Sequence, residues 1–232
     1  MKTIAIVPAA GIGSRMRADK PKQYLPLNGK LVLEHSLEVL LHSELIQQVY
    51  VAVAEHDAYF FKLDVSRHPK LVRVQGGASR AESVFNALEV ASQSWPADTL
   101  VAVHDAARPG LDSATLYRVL DQAARMPNAG AFVAIPAWDT MKRVASMRAL
   151  ETMDRSELWH AQTPQVFPLQ PLHHALYSAQ NDGFTITDEA SAMERMRWQP
   201  SIVEGSQRLR KVTCRDDLIM LSALLLAEES LD

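Results

Sequence analysis

Residues 3–16 read TIAIVPAAGIGSRM, and this stretch decides the fold that we expect. The apolar run Ile4–Val7 predicts a buried β-strand, and the small residues after it predict a loop whose backbone can approach a ligand closely. Three basic side chains follow shortly: Arg15, Lys20 and Lys22. Because ligands of open α/β sheets bind beyond the carboxyl ends of the strands, this loop is the first candidate binding site.

The rest of the chain repeats the same order of apolar strands and helical patterns. Most strand candidates are apolar on both faces, which is typical of a sheet covered by helices on both sides. The candidate strands span 3–7, 48–54, 71–75, 100–105, 130–136 and 200–205. The candidate helices span 31–43, 79–94, 112–126, 169–182, 188–198 and 218–227. This alternation predicts an α/β fold with a mostly parallel sheet and right-handed crossovers.

Residues 137–165 interrupt that alternation, since they are charged and contain no strong hydrophobic run. We predict an extended or hairpin insertion with little core of its own. The chain would then be a single domain over residues 1–232, with an arm at about 137–160. The apolar run 218–227 predicts a buried C-terminal helix, because spanning a bilayer needs about 20 apolar residues. Asp112 is expected to cap the third helix, and Gly183 to end the fourth.

The composition is that of an ordinary globular protein, with 47% hydrophobic and 22% charged residues. A formal net charge of -3 gives no reason to expect a nucleic-acid or membrane partner. The single cysteine, Cys214, excludes an internal disulfide and a cysteine-based zinc site, and it favours a reducing compartment. We therefore expect a cytoplasmic protein.

The first loop fits neither of two familiar phosphate-binding patterns. A dinucleotide-binding loop requires a third small residue where this chain has Met16, and a Walker A loop requires Gly-Lys followed by Ser or Thr. The loop could instead be an anion-binding nest, in which backbone N–H groups face phosphate oxygens while Arg15 and Lys22 supply charge. It could equally be a plain glycine turn beside solvated basic residues.

Three further clusters fall near strand ends or helix starts. In QGGASRAES (75–83), Ser79 could cap a helix and Ser83 could hydrogen-bond a ligand. In VHDAARP (103–109), Asp105 could bind Mg²⁺ together with substrate phosphates, or it could pair with Arg108. We interpret ITDEAS (186–191) as architectural, with Thr187 as the N-cap of a helix.

Seven motifs occur in one order along the chain: VPAAGIGSRM (7–16), KPKQY (20–24), HDAARP (104–109), DTMKR (139–143), LWHAQTPQ (158–165), TDEAS (187–191) and KVT (211–213). Together they resemble the 2-C-methyl-D-erythritol 4-phosphate cytidylyltransferase family. The resemblance covers nearly the whole chain, and the combination of HDAARP with DTMKR and TPQ is its most specific part. The resemblance implies a Rossmann-like nucleotidyltransferase sheet with a protruding β-arm, and transfer of CMP from CTP to 2-C-methyl-D-erythritol 4-phosphate in isoprenoid precursor synthesis.

The resemblance also implies roles for individual residues. Arg15 and Lys22 match the catalytic pair, and Asp105 matches the residue that holds Mg²⁺. The nucleotide-binding positions are Ala9, Ala10, Gly11, Gly77, Ser83, Asp105 and Ala106. The positions that orient the second substrate are Thr140, Arg155 and Lys211. In this family the arm embraces a second subunit, so we expect a homodimer in which Thr140 and Arg155 serve the neighbouring site.

Two departures and three alternatives accompany this interpretation. Ala78 stands where the family often has Asp, and Leu209 stands where it commonly has Asn. A related enzyme could use ribitol 5-phosphate as the acceptor instead. A non-catalytic nucleotide-binding dimer would have no need of Arg15, Lys22 and Asp105 together with Lys211. An NAD-dependent oxidoreductase is disfavoured by the missing third glycine.

Overall fold

The computed structural model describes residues 1–11 and 20–229. Every predicted strand and helix is present, with ends that shift by a few residues. The strands are β1 (Thr3–Pro8), β2 (Pro26–Leu27), β3 (Lys30–Leu31), β4 (Gln48–Val53), β5 (Leu71–Gln75), β6 (Leu100–Val103), β7 (Ala131–Pro136), β8 (Met141–Ala145), β9 (Arg148–Met153), β10 (Trp159–Pro168) and β11 (Ser201–Glu204). The α-helices are α1 (Val32–His42), α2 (Arg80–Ser92), α3 (Ser113–Arg125), α4 (Leu169–Asn181), α5 (Glu189–Arg195) and α6 (Arg215–Glu229).

A seven-stranded sheet forms the centre of the fold, in the order β11-β7-β10-β6-β1-β4-β5. Strand β1 pairs in parallel with both β4 and β6, and β4 pairs in parallel with β5. Strand β11 is parallel to β7, whereas β10 is antiparallel to both of its neighbours. The predicted mostly parallel sheet is therefore confirmed.

Both faces of β1 are buried, which explains its unbroken apolar sequence. Ile4 and Ile6 belong to the core that contains residues of α2, α4 and α5. Ala5 and Val7 point to the opposite face and belong to the core that contains residues of α1 and α3. Burying one such isoleucine or valine contributes about 1.5–3 kcal/mol, so β1 anchors the sheet and the loop that leaves it.

Strand β10 corrects the prediction that residues 137–165 form an insertion. The second part of this segment enters the middle of the sheet, between β7 and β6. Its polar residues Gln162, Thr163 and Gln165 are buried at 3%, 3% and 1% exposure, so the strand lacks the apolar pattern by which a buried strand is recognised. The pairing with β7 shifts between Ala161 and Gln165, where the Thr163–Pro164 peptide bond is cis.

The first part of the same segment forms a hairpin apart from the central sheet. Strands β8 and β9 pair with each other in an antiparallel two-stranded sheet. Three apolar side chains of this hairpin are exposed: Val144 at 55%, Met147 at 95% and Leu150 at 62%. The hairpin therefore presents an apolar surface that the described part of the chain does not cover.

The C-terminal helix α6 is buried on one face only, which corrects the prediction of a buried helix. Leu221 is fully buried, whereas Ile219 is 61% exposed and Met220 is 44% exposed. The run is apolar on all sides, so its sequence does not distinguish the buried face. In the described ranges, no helix is both long enough and apolar enough to cross a membrane.

The predicted start of α3 and the predicted end of α4 are confirmed. Asp112 caps α3, since its Oδ1 accepts a hydrogen bond from the Thr115 N–H at 2.6 Å. Gly183 follows α4 with φ of +65°, a left-handed conformation that glycine adopts without strain.

Candidate active site

A cleft of about 480 Å³ opens at the carboxyl ends of β1, β5 and β6. It contains nine of the site residues that the sequence predicts. These are Ala9, Ala10, Gly11, Lys22, Gly77, Ser83, Asp105, Ala106 and Lys211. The cleft lies where the topology of an α/β sheet positions ligands.

The other three predicted residues lie elsewhere. Arg15 is outside the described residues. Thr140 precedes β8 and Arg155 follows β9, so both lie at the base of the hairpin, where both are exposed. Neither of them lines the cleft within this chain.

The segment after β1 forms one wall of the cleft and is held from inside the protein. The Gln23 side-chain amide donates to the Ala9 carbonyl at 2.7 Å and to the Gly11 carbonyl at 3.1 Å. The Ala9 N–H donates to the Ala52 carbonyl at 2.7 Å, so Ala9 extends the sheet and its N–H is not available to a phosphate. A Cβ on Gly76 would lie 2.3 Å from the Ala10 Cβ, so the glycine allows the two loops to touch.

The loop before α2 forms a second wall. Ser79 caps the helix as predicted, with its Oγ accepting from the Glu82 N–H at 3.1 Å. The Ser83 hydroxyl accepts from the Gly77 N–H at 3.0 Å and donates to the Ser79 carbonyl at 2.8 Å. Ser83 thus holds the loop in shape, and the ligand contact that its sequence position suggests stays a prediction. The Ala78 N–H donates to Glu82 Oε2 at 2.7 Å, a backbone contact that does not depend on the Ala78 side chain.

The Asp105 carboxylate lies on the cleft floor among three cations. Its Oδ1 accepts from Arg80 Nε at 2.7 Å, and its Oδ2 accepts from Lys211 Nζ at 2.8 Å and from Arg108 Nε at 3.2 Å. Burial alone would raise the pKa of Asp105, but these cations hold it well below the usual value. The pairing with Arg108 that the sequence left open is therefore present, and Asp105 is ionised at neutral pH.

A buried chain of hydrogen bonds fixes the Asp105 backbone. The Asp105 N–H donates to Thr163 Oγ1 at 3.0 Å, and Thr163 Oγ1 lies 2.9 Å from His104 Nδ1. His104 Nε2 lies 3.0 Å from the Arg108 carbonyl, which can only accept, so Nε2 carries the proton and Nδ1 accepts from the Thr163 hydroxyl. Burial lowers the pKa of His104 to about 4. His104 is thus a neutral structural link, as its sequence context suggested.

A segment near the C-terminus forms the remaining wall. Lys22 Nζ donates to the Val212 carbonyl at 2.8 Å, and the Val212 N–H donates to the Ala107 carbonyl at 2.8 Å. The neighbouring Leu209 is fully buried, and its carbonyl accepts from Arg108 Nη1 at 2.6 Å. Leucine at this position therefore packs in the core while its backbone still holds Arg108, which in turn binds Asp105.

Sequence reasoning missed the part played by Arg80 and Glu189. Glu189 accepts two hydrogen bonds from Arg80, at 2.7 and 2.9 Å, while Arg80 also donates to Asp105. In ITDEAS the helix cap is Asp188, whose Oδ1 accepts from the Ser191 N–H at 2.9 Å, so the prediction of Thr187 as N-cap is wrong. An acidic residue in the first turn of a helix is also explained by the helix dipole, so the local sequence gave no signal of a long-range partner.

Binding of a divalent cation in this cleft would depend on Asp105. Among the described residues, no group of three or more His, Cys, Asp or Glu side chains could hold a metal. Among the described residues that line the cleft, Asp105 is the one carboxylate, and its cationic neighbours would repel a bare ion. Mg²⁺ typically binds through one or two carboxylates plus substrate phosphates, so the residues fit a Mg²⁺ ion that enters with a nucleotide.

Comparison with known proteins identifies close relatives. The family model described as 2-C-methyl-D-erythritol 4-phosphate cytidylyltransferase matches residues 3–227. Two proteins of that name are similar over most of their length. The one from Mannheimia succiniciproducens is 51% identical over 93% of this chain and 92% of its own. The one from Vibrio parahaemolyticus serotype O3:K6 is 46% identical over 97% of this chain and 96% of its own.

Solved structures show the same fold. A crystal structure of a 4-diphosphocytidyl-2C-methyl-D-erythritol synthase superimposes with a TM-score of 0.83 and 36% identity, covering 97% of this chain and 98% of the other. The 2-C-methyl-D-erythritol 4-phosphate cytidylyltransferase of Francisella tularensis superimposes with a TM-score of 0.82 and 34% identity, covering 95% of this chain and 98% of the other.

Proposed function

The chain belongs to the 2-C-methyl-D-erythritol 4-phosphate cytidylyltransferase family, and we propose that the cleft beyond β1, β5 and β6 is its catalytic centre. The enzyme transfers CMP from CTP to 2-C-methyl-D-erythritol 4-phosphate and releases pyrophosphate, in the non-mevalonate route to isoprenoid precursors. One observation carries the proposal. Nine predicted site residues, from segments far apart in sequence, line one cleft whose floor is an ionised carboxylate among cations.

The nucleotide lies against the two small-residue walls. Ala10 and Gly11 allow its phosphates to approach the backbone closely, and Gly77 leaves room for the base beside the loop that Ser83 holds. Asp105 and Ala106 lie between these walls, where the ribose joins the base to the phosphates. This division of the cleft follows from where its residues are small and where they are charged.

The chemistry needs no general base from the protein. The acceptor is a phosphate monoester whose second pKa is about 6, so at neutral pH it is mostly a dianion. One of its oxygens attacks the α-phosphorus of CTP and forms the new P–O bond. The bond from the α-phosphorus to the bridging oxygen breaks, and its electron pair leaves with pyrophosphate. The obstacle is the repulsion between a dianion and a triphosphate, so catalysis consists mainly of alignment and charge neutralisation.

Cationic side chains of the cleft can supply this charge neutralisation. Lys22 lies on the wall formed by the first loop and the C-terminal segment, and we assign it to the triphosphate, together with Arg15. We assign Lys211, which is bound to Asp105, to the acceptor. A Mg²⁺ ion entering with CTP would be held by Asp105 and would neutralise phosphate charge.

The arm extends the proposal to a homodimer. Thr140 and Arg155 are exposed at the base of the hairpin and do not line their own chain's cleft. The exposed apolar side chains of Val144, Met147 and Leu150 are what an arm buried against a second subunit requires. In this arrangement, Arg155 orients the acceptor in the neighbouring subunit's cleft. The lone Cys214, an exposed free thiol, accords with a reducing cytoplasmic location.

The direct test is pyrophosphate release with CTP and Mg²⁺. The acceptors are 2-C-methyl-D-erythritol 4-phosphate and ribitol 5-phosphate, with a reaction lacking any acceptor as the control. We expect release with the erythritol ester alone. Release with the ribitol ester alone would keep the chemistry and overturn the acceptor. Folded protein that binds CTP but is silent with both acceptors would overturn the catalytic assignment.

A further inference from the structure

Glu189 stands out because it is a fully buried carboxylate whose side chain binds one arginine that reaches the cleft. Glu189 has 0% exposure, and its two oxygens accept from Arg80 Nη1 and Nη2 at 2.7 and 2.9 Å. The Arg80 side chain is 24% exposed and lines the cleft. The pair thus connects the interior of the protein to the surface that meets the substrates.

Stability does not explain a charge at this position. Removing a carboxylate from water costs several kcal/mol, and a buried ion pair is often no more stabilising than apolar residues of similar volume. The helix that carries Glu189 packs against an apolar core, since Ala190, Ala192 and Met193 all belong to the core cluster on this face of the sheet. An apolar side chain in place of Glu189 would suit that core, but it could not hold Arg80.

The backbone that carries Glu189 is fixed on both sides. Asp188 caps α5, and its Oδ2 accepts from Gln165 Nε2 at 2.9 Å. On the other side, the Ala190 N–H donates to Gln165 Oε1 at 2.8 Å. One buried side chain of β10 therefore holds both neighbours of Glu189, so its carboxylate is a rigid point of attachment.

Arg80 connects Glu189 to Asp105 on the cleft floor. While two of its nitrogens bind Glu189, its Nε donates to Asp105 Oδ1 at 2.7 Å. Asp105 Oδ2 is left to Lys211 and Arg108. We propose that Glu189 is a positioning residue of the transfer reaction, which holds Arg80 across the cleft floor and so fixes the carboxylate of Asp105. This inference rests on the proposed function of the cleft.

The charges predict a particular kinetic signature. With Glu189 present, its carboxylate balances the guanidinium charge of Arg80. Arg80 therefore fixes the orientation of the Asp105 carboxylate and adds little net charge to the cleft. Without that carboxylate, Arg80 keeps only its hydrogen bond to Asp105, and the uncompensated part of its charge can bind the triphosphate in unproductive positions. Loss of Glu189 should therefore lower kcat without raising the KM for CTP, the pattern expected when alignment rather than binding is lost.

The test compares Glu189→Gln with wild type and with Glu194→Gln, the same chemical change on an exposed residue of the same helix. Turnover is expressed per CTP-binding site, counted by calorimetric titration, so that misfolded protein does not lower kcat. We expect Glu189→Gln to lose about tenfold to a hundredfold in kcat, since misalignment by about 1 Å costs up to that much, with KM for CTP unchanged or lower. Glu194→Gln should behave as wild type.

A double-variant cycle separates positioning from a general structural effect. If Glu189 acts through Arg80, adding Glu189→Gln to Arg80→Met should change kcat per site by less than about twofold. A folded Glu189→Gln enzyme with kcat within about twofold of wild type would overturn the inference, as would an undiminished loss in the Arg80→Met background. Should Glu189→Gln not fold, Glu189→Asp takes its place, because it keeps the charge and shortens the reach; wild-type kcat in that variant would also overturn the inference. Wild-type turnover tests the proposed function separately.

Discussion

Acidification should destabilise this protein through His104, and the size of the effect follows from its burial. His104 has 0% exposure, and burial lowers its pKa from 6.5 to about 4. Asp105 opposes this shift and the Arg108 guanidinium adds to it, but burial dominates. Between these two pKa values the unfolded chain binds a proton that the folded chain does not, so stability falls as pH drops through this window. At pH 5 the loss is roughly 2 kcal/mol, and it approaches roughly 3 kcal/mol below pH 4.

The assay is urea unfolding at pH 7.5 and pH 5.0 for wild type and for His104→Gln. Glutamine can accept and donate a hydrogen bond but does not titrate, so the variant should lose roughly 2 kcal/mol less than wild type between the two pH values. The comparison with the variant isolates the part of the pH dependence that His104 contributes. His56→Gln is the control, because it makes the same chemical change at an exposed histidine outside the buried hydrogen-bond chain. Equal losses in wild type and His104→Gln would refute the reasoning.

Three further predictions concern the cleft and the arm. Lys22→Ala should lower kcat by roughly 10² or more, as expected when one preorganised transition-state donor is lost, and a folded variant with near-wild-type turnover would remove Lys22 from that role. A Lys22→Ala chain mixed with an equal amount of an Arg155→Ala chain should regain about one quarter of wild-type activity, because about half of the dimers are then heterodimers and each of these has one intact site of two; no recovery after verified subunit exchange would mean that each site is built from one chain. Gly76→Ala should weaken CTP binding about tenfold in a calorimetric titration, because its Cβ would lie 2.3 Å from the Ala10 Cβ and force the two loops apart; unchanged affinity would show that the loops adjust without cost.

The parallel part of the fold could be predicted because its strands are apolar on both faces. In β1, Ile4 and Val7 face opposite cores, so the whole strand is one hydrophobic run that the sequence displays directly. The faces of α6 could not be predicted, because a run that is apolar on every side carries no period from which to identify the buried one. A hydrophobic run therefore predicts a strand that is buried on both faces, but it does not show which face of a uniformly apolar helix is buried.

The two larger omissions, strand β10 and Glu189, have a common physical cause. Buried polar groups must be hydrogen-bonded, and their partners are set by tertiary structure rather than by neighbours in sequence. Thr163 on β10 accepts from the Asp105 N–H, and Gln165 on β10 holds both neighbours of Glu189, which lies 109 residues from Arg80. The polar residues that hide β10 from a hydrophobic pattern are therefore the same residues that assemble the cleft floor. A segment that is polar but buried in the centre of a sheet indicates a functional site, because apolar side chains would stabilise the sheet itself better.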